Sequence, residues 1–345
     1  MIRTGLLMTD IPRSVGPRQQ FSDILRVVDA AQAAGLTYVC FGQHFLYGDL
    51  SYPQPVPLLA RLAAHVDPHV RLVTSVLVTP LYHPVVLAEE LATLDMVTEG
   101  RLVVGAGIGY VPDEFSCLGV PFSQRGARTD ESLELLTRLW TEDEVTHHGR
   151  FWSLDRARPH LKPVQDPYPP IWIGGHSAAG ARRAGRIGDA FTVPPETTVE
   201  EARDRFAIVR DGFAARGKPF GPQPLRRNVF VADTHEAAVD GYARVSQSRY
   251  LTYRERGLDV MAHTDLRDDF EAAVSSHAVL GTPDEVVAKL TELVAELPVD
   301  PLLFRPQWPS MSADEAVATI ERLGRDIVPA LAELEPLATL PTLPA

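Results

Sequence analysis

Short, nearly uninterrupted apolar runs alternate with longer stretches of helical periodicity along most of the chain. Eight of these runs read as strands: Ile2–Leu7, Tyr38–Phe41, Leu72–Val76, Leu102–Gly105, Ile171–Gly174, Ala190–Thr192, Val229–Val231 and Leu302–Phe304. Helical signals lie between them. Asp23–Ala34 is closed by Gly35, and Pro84–Val97 has proline in its first turn and Gly100 just past its end. Asp130–Trp140 is a third, and a fourth starts at the cap-like Thr282 of TPDEVVAKLTELVAEL. Strands joined by helices pair in parallel, and strands apolar on both faces are buried on both. Eight such units predict an α/β fold of the closed (β/α)8 TIM-barrel type rather than an open sheet.

Two stretches break the rhythm. Residues 145–170 hold a hairpin-like VTHHGRFWSL followed by five prolines, and residues 250–280 read as a second, helical insertion. Residues 1–335 then form one barrel domain with two insertions, and the Pro-rich end from 336 to 345 is a loose tail. In such a barrel the chemistry sits at the carboxyl ends of the strands, where long loops act as lids or specificity elements.

Composition narrows the field. With 33 basic against 45 acidic residues among 345, the formal charge is -12. A negative surface repels phosphate backbones and anionic lipid, which argues against nucleic-acid and membrane-surface roles. The longest uncharged stretch, Leu72–Ala88, is shorter than the roughly 20 residues of a bilayer span and carries Pro80, His83 and Pro84. The N-terminus reads as a first strand and not as a signal peptide. Two cysteines, Cys40 and Cys117, cannot staple a chain of this size and suit a reducing cytoplasm.

Several motifs fail on inspection. GAGIG at Gly105–Gly109 reads GxGxG, lacks the third glycine of a dinucleotide fingerprint, and is followed by VPDEFSCLGVPF before the next expected helix. GHSAAGAR at Gly175–Arg182 has the glycine gap of a P-loop but not its Lys-Ser/Thr. Pro68 separates His65 from His69, and neither an HExxH nor a GxSxG occurs, so no metal site is expected. What remains is positional. Gly-rich turns follow two strands, at Gly105–Tyr110 and Gly174–Ser177, and such turns bare backbone N–H groups to a phosphate or simply permit tight packing. His44, with Gly42 and Gln43, lies just past the second strand at the expected mouth, where it is either structural or catalytic.

These fragments carry a resemblance. HPVVLAEELATLDMVTEGRLVVGAGIGYVPDEF (His83–Phe115) resembles the signature region of the bacterial luciferase-like family of flavin-dependent oxidoreductases. The similarity continues through Gly119–Trp140 and Lys162–Phe191, and FGQHF (Phe41–Phe45) matches the histidine-bearing end of the second strand. The resemblance implies an insertion-bearing barrel with reduced FMN, or in many members a reduced deazaflavin coenzyme of the F420 type, across the strand ends. Carried over by position, the phosphate would meet Gly107, Ile108, Gly109 and Tyr110 together with Gly174, Gly175, His176 and Ser177. The ring would rest on Ser75, Val76 and Leu77, with a cis Ser75–Val76 bond and a bulge beneath it. His44 would be the catalytic acid–base group, since an imidazole titrates near neutral pH.

Flavin members oxygenate a small organic substrate with O2, while deazaflavin members transfer hydride without it. Gly109-Tyr110 departs from the glycine–glutamate of several deazaflavin members, although TSVLVTP resembles them. The preferred expectation is a monooxygenase fed by a separate flavin reductase. The alternatives are a deazaflavin oxidoreductase and a flavin-binding protein without turnover. Phe45, Leu46, Tyr47 and Tyr52 suggest an apolar or aromatic substrate wall, with Arg305, Gln307 and Trp308 able to reach the same cavity or merely to pack the rim. A homodimer is implied by the resemblance alone.

Overall fold

The computed structural model describes residues 1–11, 15–48, 50–255 and 270–341. Each of the eight expected runs overlaps a strand. β1 (Thr4–Met8), β2 (Tyr38–Phe41), β3 (Arg71–Val78) and β4 (Leu102–Gly107) come first, then β5 (Val145–His148) and β6 (Ser153–Ala157). They are followed by β7 (Ile171–Gly174), β8 (Ala190–Thr192), β9 (Gln223–Val231), β10 (Ala278–Gly281) and β11 (Val299–Phe304). The main sheet runs β10-β9-β11-β1-β2-β3-β4-β7-β8, and its ladders are parallel. A parallel bridge from Val193 to Leu225 joins β8 to β9, and the Phe191 amide donates to the Gln223 side chain at 2.8 Å. These contacts close an eight-stranded (β/α) barrel.

β10 is a ninth strand that the hydrophobic pattern does not announce. It pairs with β9 from Ala278↔Asn228 to Gly281↔Val231, so the second irregular stretch ends in a strand rather than being helical throughout. Its residues 256–269 lie outside the described residues. The expected hairpin is present as β5 and β6, paired antiparallel and separate from the barrel.

The first helices are α1 (Pro17–Ala33), α2 (Pro55–Ala63), α3 (Pro84–Val97), α4 (Pro112–Cys117), α5 (Arg125–Thr141) and α6 (Ala178–Ile187). After them come α7 (Val199–Ala215), α8 (His235–Glu255), α9 (Phe270–Val274), α10 (Pro283–Glu296), α11 (Ala313–Asp326) and α12 (Val328–Ala332). Thr282 caps α10 in a reciprocal pair with Glu285, as its sequence suggests. His83 caps α3, accepting from the Val85 amide. α4 corrects the sequence reading, which placed no helix start before Phe122.

The pleat sorts strand residues into two layers. Leu6, Val39, Leu72, Val104, Ile173, Phe191 and Leu302 pack with helix residues such as Ile24, Val27 and Leu136 in the outer core. The alternate set, Leu7, Tyr38, Cys40, Val73, Val103, Trp172, Ala190 and Leu303, forms a separate cluster that fills the barrel. Two residues further along that inward face, at the carboxyl ends, stand Thr9, Gly42, Ser75, Gly105, Gly174 and Thr192, with Gly107 two beyond Gly105. The barrel plug therefore ends in a floor of small residues.

Candidate active site

The floor is shaped by β3. Its register against β4 shifts between Thr74 and Leu77, and the Ser75–Val76 peptide bond is cis, with the bulge where the resemblance implied it. Val76 then leans across the neighbouring strands. A Cβ on Gly107 would lie 2.6 Å from Val76 Cγ2, and one on Gly174 would lie 2.7 Å from Val76 Cγ1. The glycines at these strand ends are thus required by packing against Val76, whatever else approaches them. Gly109 is required for a second reason, a backbone φ of 72°. Ser75 is buried at the floor, whereas the Leu77 side chain faces the outer core and offers only backbone.

His44 stands at the β2 edge of this floor in an enclosure of ring and carboxyl groups. Its Nδ1 lies 2.7 Å from Glu114 Oε1 on α4, and its Nε2 lies 3.1 Å from the Tyr110 hydroxyl. The Tyr47 hydroxyl is 3.1 Å from that of Tyr110. The rings of Tyr47, Tyr52 and Tyr110 lie with centroids 4.1, 4.8 and 5.1 Å from the imidazole. Gln54 donates to the His44 carbonyl at 3.0 Å, and Gln43 accepts from the Val78 amide at 2.8 Å while donating to Gln54 at 2.8 Å and to Tyr82. The backbone carrying His44 is thereby tied to β3. Burial pushes the imidazole below its ordinary range, against the opposing pull of Glu114, so His44 rests neutral at pH 7.

A second buried group adjoins the first. Asp10, just past β1, is clamped by Arg249 of α8 and by Arg305 past β11. Arg249 also donates to the Tyr52 hydroxyl at 3.2 Å, which links this pair to the His44 enclosure. Burial alone would raise the Asp10 carboxyl, but the two guanidinium groups and the Thr9 hydroxyl outweigh it and hold it below the usual carboxylate range.

The expected site residues are therefore brought together unevenly. His44, Tyr47 and Tyr110 meet directly, and Ser75, Val76, Gly107 and Gly174 share the floor. Ile108 and Gly175 continue the two turns, and His176 is exposed on the second. The Ser177 side chain is occupied in capping α6, accepting from the Gly180 amide at 3.2 Å. Arg305 does not extend into the mouth as a substrate contact would. It turns onto Asp10 and stacks on Trp308, which is buried beside Tyr242 at a centroid distance of 5.5 Å. Leu46 is 81% exposed and takes no part in an aromatic wall. Three participants were missed: Glu114, Asp10 and Arg249. The acidic first turn behind Pro112 was a readable helix start that would have placed Glu114 on α4.

The chain matches the family model described as luciferase-like monooxygenase over residues 3–300. It is 26% identical over 338 residues to the oxygenase component of the flavin-dependent trigonelline monooxygenase of Acinetobacter baylyi, covering 92% of this chain and 91% of that one. It is 27% identical over 291 residues to the F420-dependent glucose-6-phosphate dehydrogenase of Amycolatopsis mediterranei, covering 80% and 84%. The crystal structure of monooxygenase RslO1 from Streptomyces bottropensis superposes with a TM-score of 0.80 at 29% identity, covering 95% of this chain and 99% of that one. With the barrel, the bulged third strand and this match over most of its length, the chain belongs to the luciferase-like monooxygenase family.

Proposed function

We propose that this chain is the oxygenase component of a two-component system, which takes reduced FMN from a separate reductase and uses O2 to oxygenate a small organic substrate. The observation that carries this reading is a neutral, buried imidazole at the edge of a floor of small residues. A planar ring fits such a floor. The buried Thr192 Oγ1, Asn228 Oδ1 and Glu114 Oε2 have no hydrogen-bond partner among the described residues, which suits a mouth that receives a polar ligand.

Ser75, Val76 and the Leu77 backbone would support the ring. The turns Gly107–Tyr110 and Gly174–Ser177 would offer N–H groups to the phosphate, the second of them at the start of α6. Bound reduced FMN supplies the electrons that activate O2. His44 accepts and returns a proton at the reacting oxygen, and the tyrosines at 47 and 52 exclude water and form one wall for the substrate. Arg305 and Trp308 act by holding Asp10 and the rim in place. A cytoplasmic location agrees with the free thiols Cys40 and Cys117, and a homodimer agrees with the exposed Val86, Met96 and Val97 near the two ends of α3.

Hydride transfer from a deazaflavin is the second reading, favoured by the F420-dependent relative. Anaerobic titration with reduced FMN and with a reduced deazaflavin, followed by mixing with O2, separates the two. Tight FMN binding with a transient absorbance band on oxygen mixing supports the oxygenase. Tight binding of the deazaflavin alone overturns it.

A further inference from the structure

Glu114 is one of the most confined acidic side chains at the mouth, 1% exposed at the third position of α4. A carboxylate is almost never buried this deeply unless it is paired. Its Oε1 accepts from the Phe45 amide at 2.8 Å and lies 2.7 Å from His44 Nδ1. Its Oε2 has no hydrogen-bond partner among the described residues. The Phe45 amide is a fixed donor, so Glu114 presents an acceptor to the ring, and the proton of the short contact belongs on Nδ1. The neutral imidazole then has a bare Nε2, 3.1 Å from the Tyr110 hydroxyl. Tyr110 donates to it and can accept in turn from Tyr47, 3.1 Å away.

We propose that Glu114 is a positioning residue that holds His44 in the Nδ1–H tautomer, so that protons reach His44 through the Tyr110 and Tyr47 hydroxyls. The proposal rests on the reading of His44 as the acid–base group. Nε2 takes the Tyr110 proton as Tyr110 takes one from Tyr47, and Tyr47 recovers its own from a hydroxyl or water in the mouth. The O–H bonds broken at Tyr110 and Tyr47 are re-formed, Nε2 gains the proton as a new N–H bond, and the hydroxyl or water in the mouth is left as its conjugate base, while the imidazolium is set against the Glu114 carboxylate.

The groups that face His44 are Glu114 from α4, Tyr110 from the turn after β4, and Tyr47 and Tyr52 from its own loop. Asp10 and Arg249 act on it by charge. Burial is the largest influence and disfavours the imidazolium, as does Arg249. Glu114 and Asp10 favour it.

The test is made on the flavin-free protein labelled with 15N-histidine, with the His44 signals assigned by their loss in His44→Asn. Long-range nitrogen–proton correlations should show neutral His44 with its proton on Nδ1. Glu114→Gln keeps size and acceptor but removes charge, and should lower the His44 titration midpoint by about one pH unit or more, tenfold weaker proton binding. Tyr110→Phe should move the Nε2 resonance and leave the tautomer unchanged. An Nε2–H tautomer in the wild type, or an unmoved midpoint in Glu114→Gln, overturns the proposal. The wild-type tautomer needs no variant to fold. Because these readouts need no cofactor, their failure is distinct from a failure of the monooxygenase reading.

Discussion

His44 Nδ1 and Glu114 Oε1 lie 2.7 Å apart across 70 positions of sequence. One residue follows β2 and the other rides on α4, so the barrel itself, by setting β2, β3 and β4 side by side, makes the contact. Substituting His44 with Asn removes the titrating ring and keeps a polar side chain. Positioned acid–base catalysis contributes about 10²–10⁴-fold, so single-turnover oxygenation at saturating reduced FMN should slow by that order. Reduced-flavin affinity should change much less. A variant that turns over normally but no longer binds flavin would make His44 a cofactor residue.

Val76 and the facing glycines behave as one packed unit. Gly174→Ala should cost about 1–3 kcal/mol by overpacking against Val76 Cγ1. The Val76→Ala change removes that atom, so the double variant should recover part of the loss, with a coupling of about 0.5–3 kcal/mol. Urea unfolding of the four proteins in the cycle measures it, and strictly additive losses would show that the two residues do not meet.

Asp10 answers for the stability of the mouth. Asp10→Asn leaves the Arg249 and Arg305 guanidinium groups buried without that carboxylate, a change that costs about 3–5 kcal/mol when a buried pair is broken. The pH dependence has a fixed sign. The folded carboxyl is held below its unfolded value, so its contribution is fully present above that unfolded value. It is lost as pH falls through the lower folded value. Unfolding midpoints followed from pH 6 downward should therefore fall more steeply below about pH 4 in the wild type than in Asp10→Asn.

The outer face of α3 exposes Val86, Met96 and Val97, at 52%, 49% and 42%. Val86 and Val97 are three helical turns apart and so point the same way. Light scattering should give twice the 37.9 kDa chain mass, and Val86→Glu combined with Val97→Glu should return it to that of one chain. A wild-type monomer would remove the homodimer.

Strands were legible in the sequence because a parallel strand buried on both faces is apolar at nearly every position, as YVCF, IWIG and AFT are. β10 was hidden because AVLG sits next to a segment with no clear period. His44 could be found because it directly follows a strand. Glu114 could not be paired with it, since α4 is six residues between Gly-rich and Pro-containing turns and its partner is distant in sequence. Asp10 and Arg249 were hidden for the same reason: the ion pair spans 239 positions and neither residue has a local pattern.

The joint between β8 and β9 has a mechanical consequence. Seven joints of the ring are ladders of three to five register pairs, whereas this one is the single bridge Val193↔Leu225 with the Gln223 side chain beside it. A hoop under strain parts at its weakest weld, and local opening draws on the least supported backbone bonds. Here that weld adjoins the turn Gly174–Ser177, roughly across the hoop from β2. Local opening of the ring would start at this seam, while the β2, β3 and β4 ladders that carry His44 and Glu114 keep their alignment.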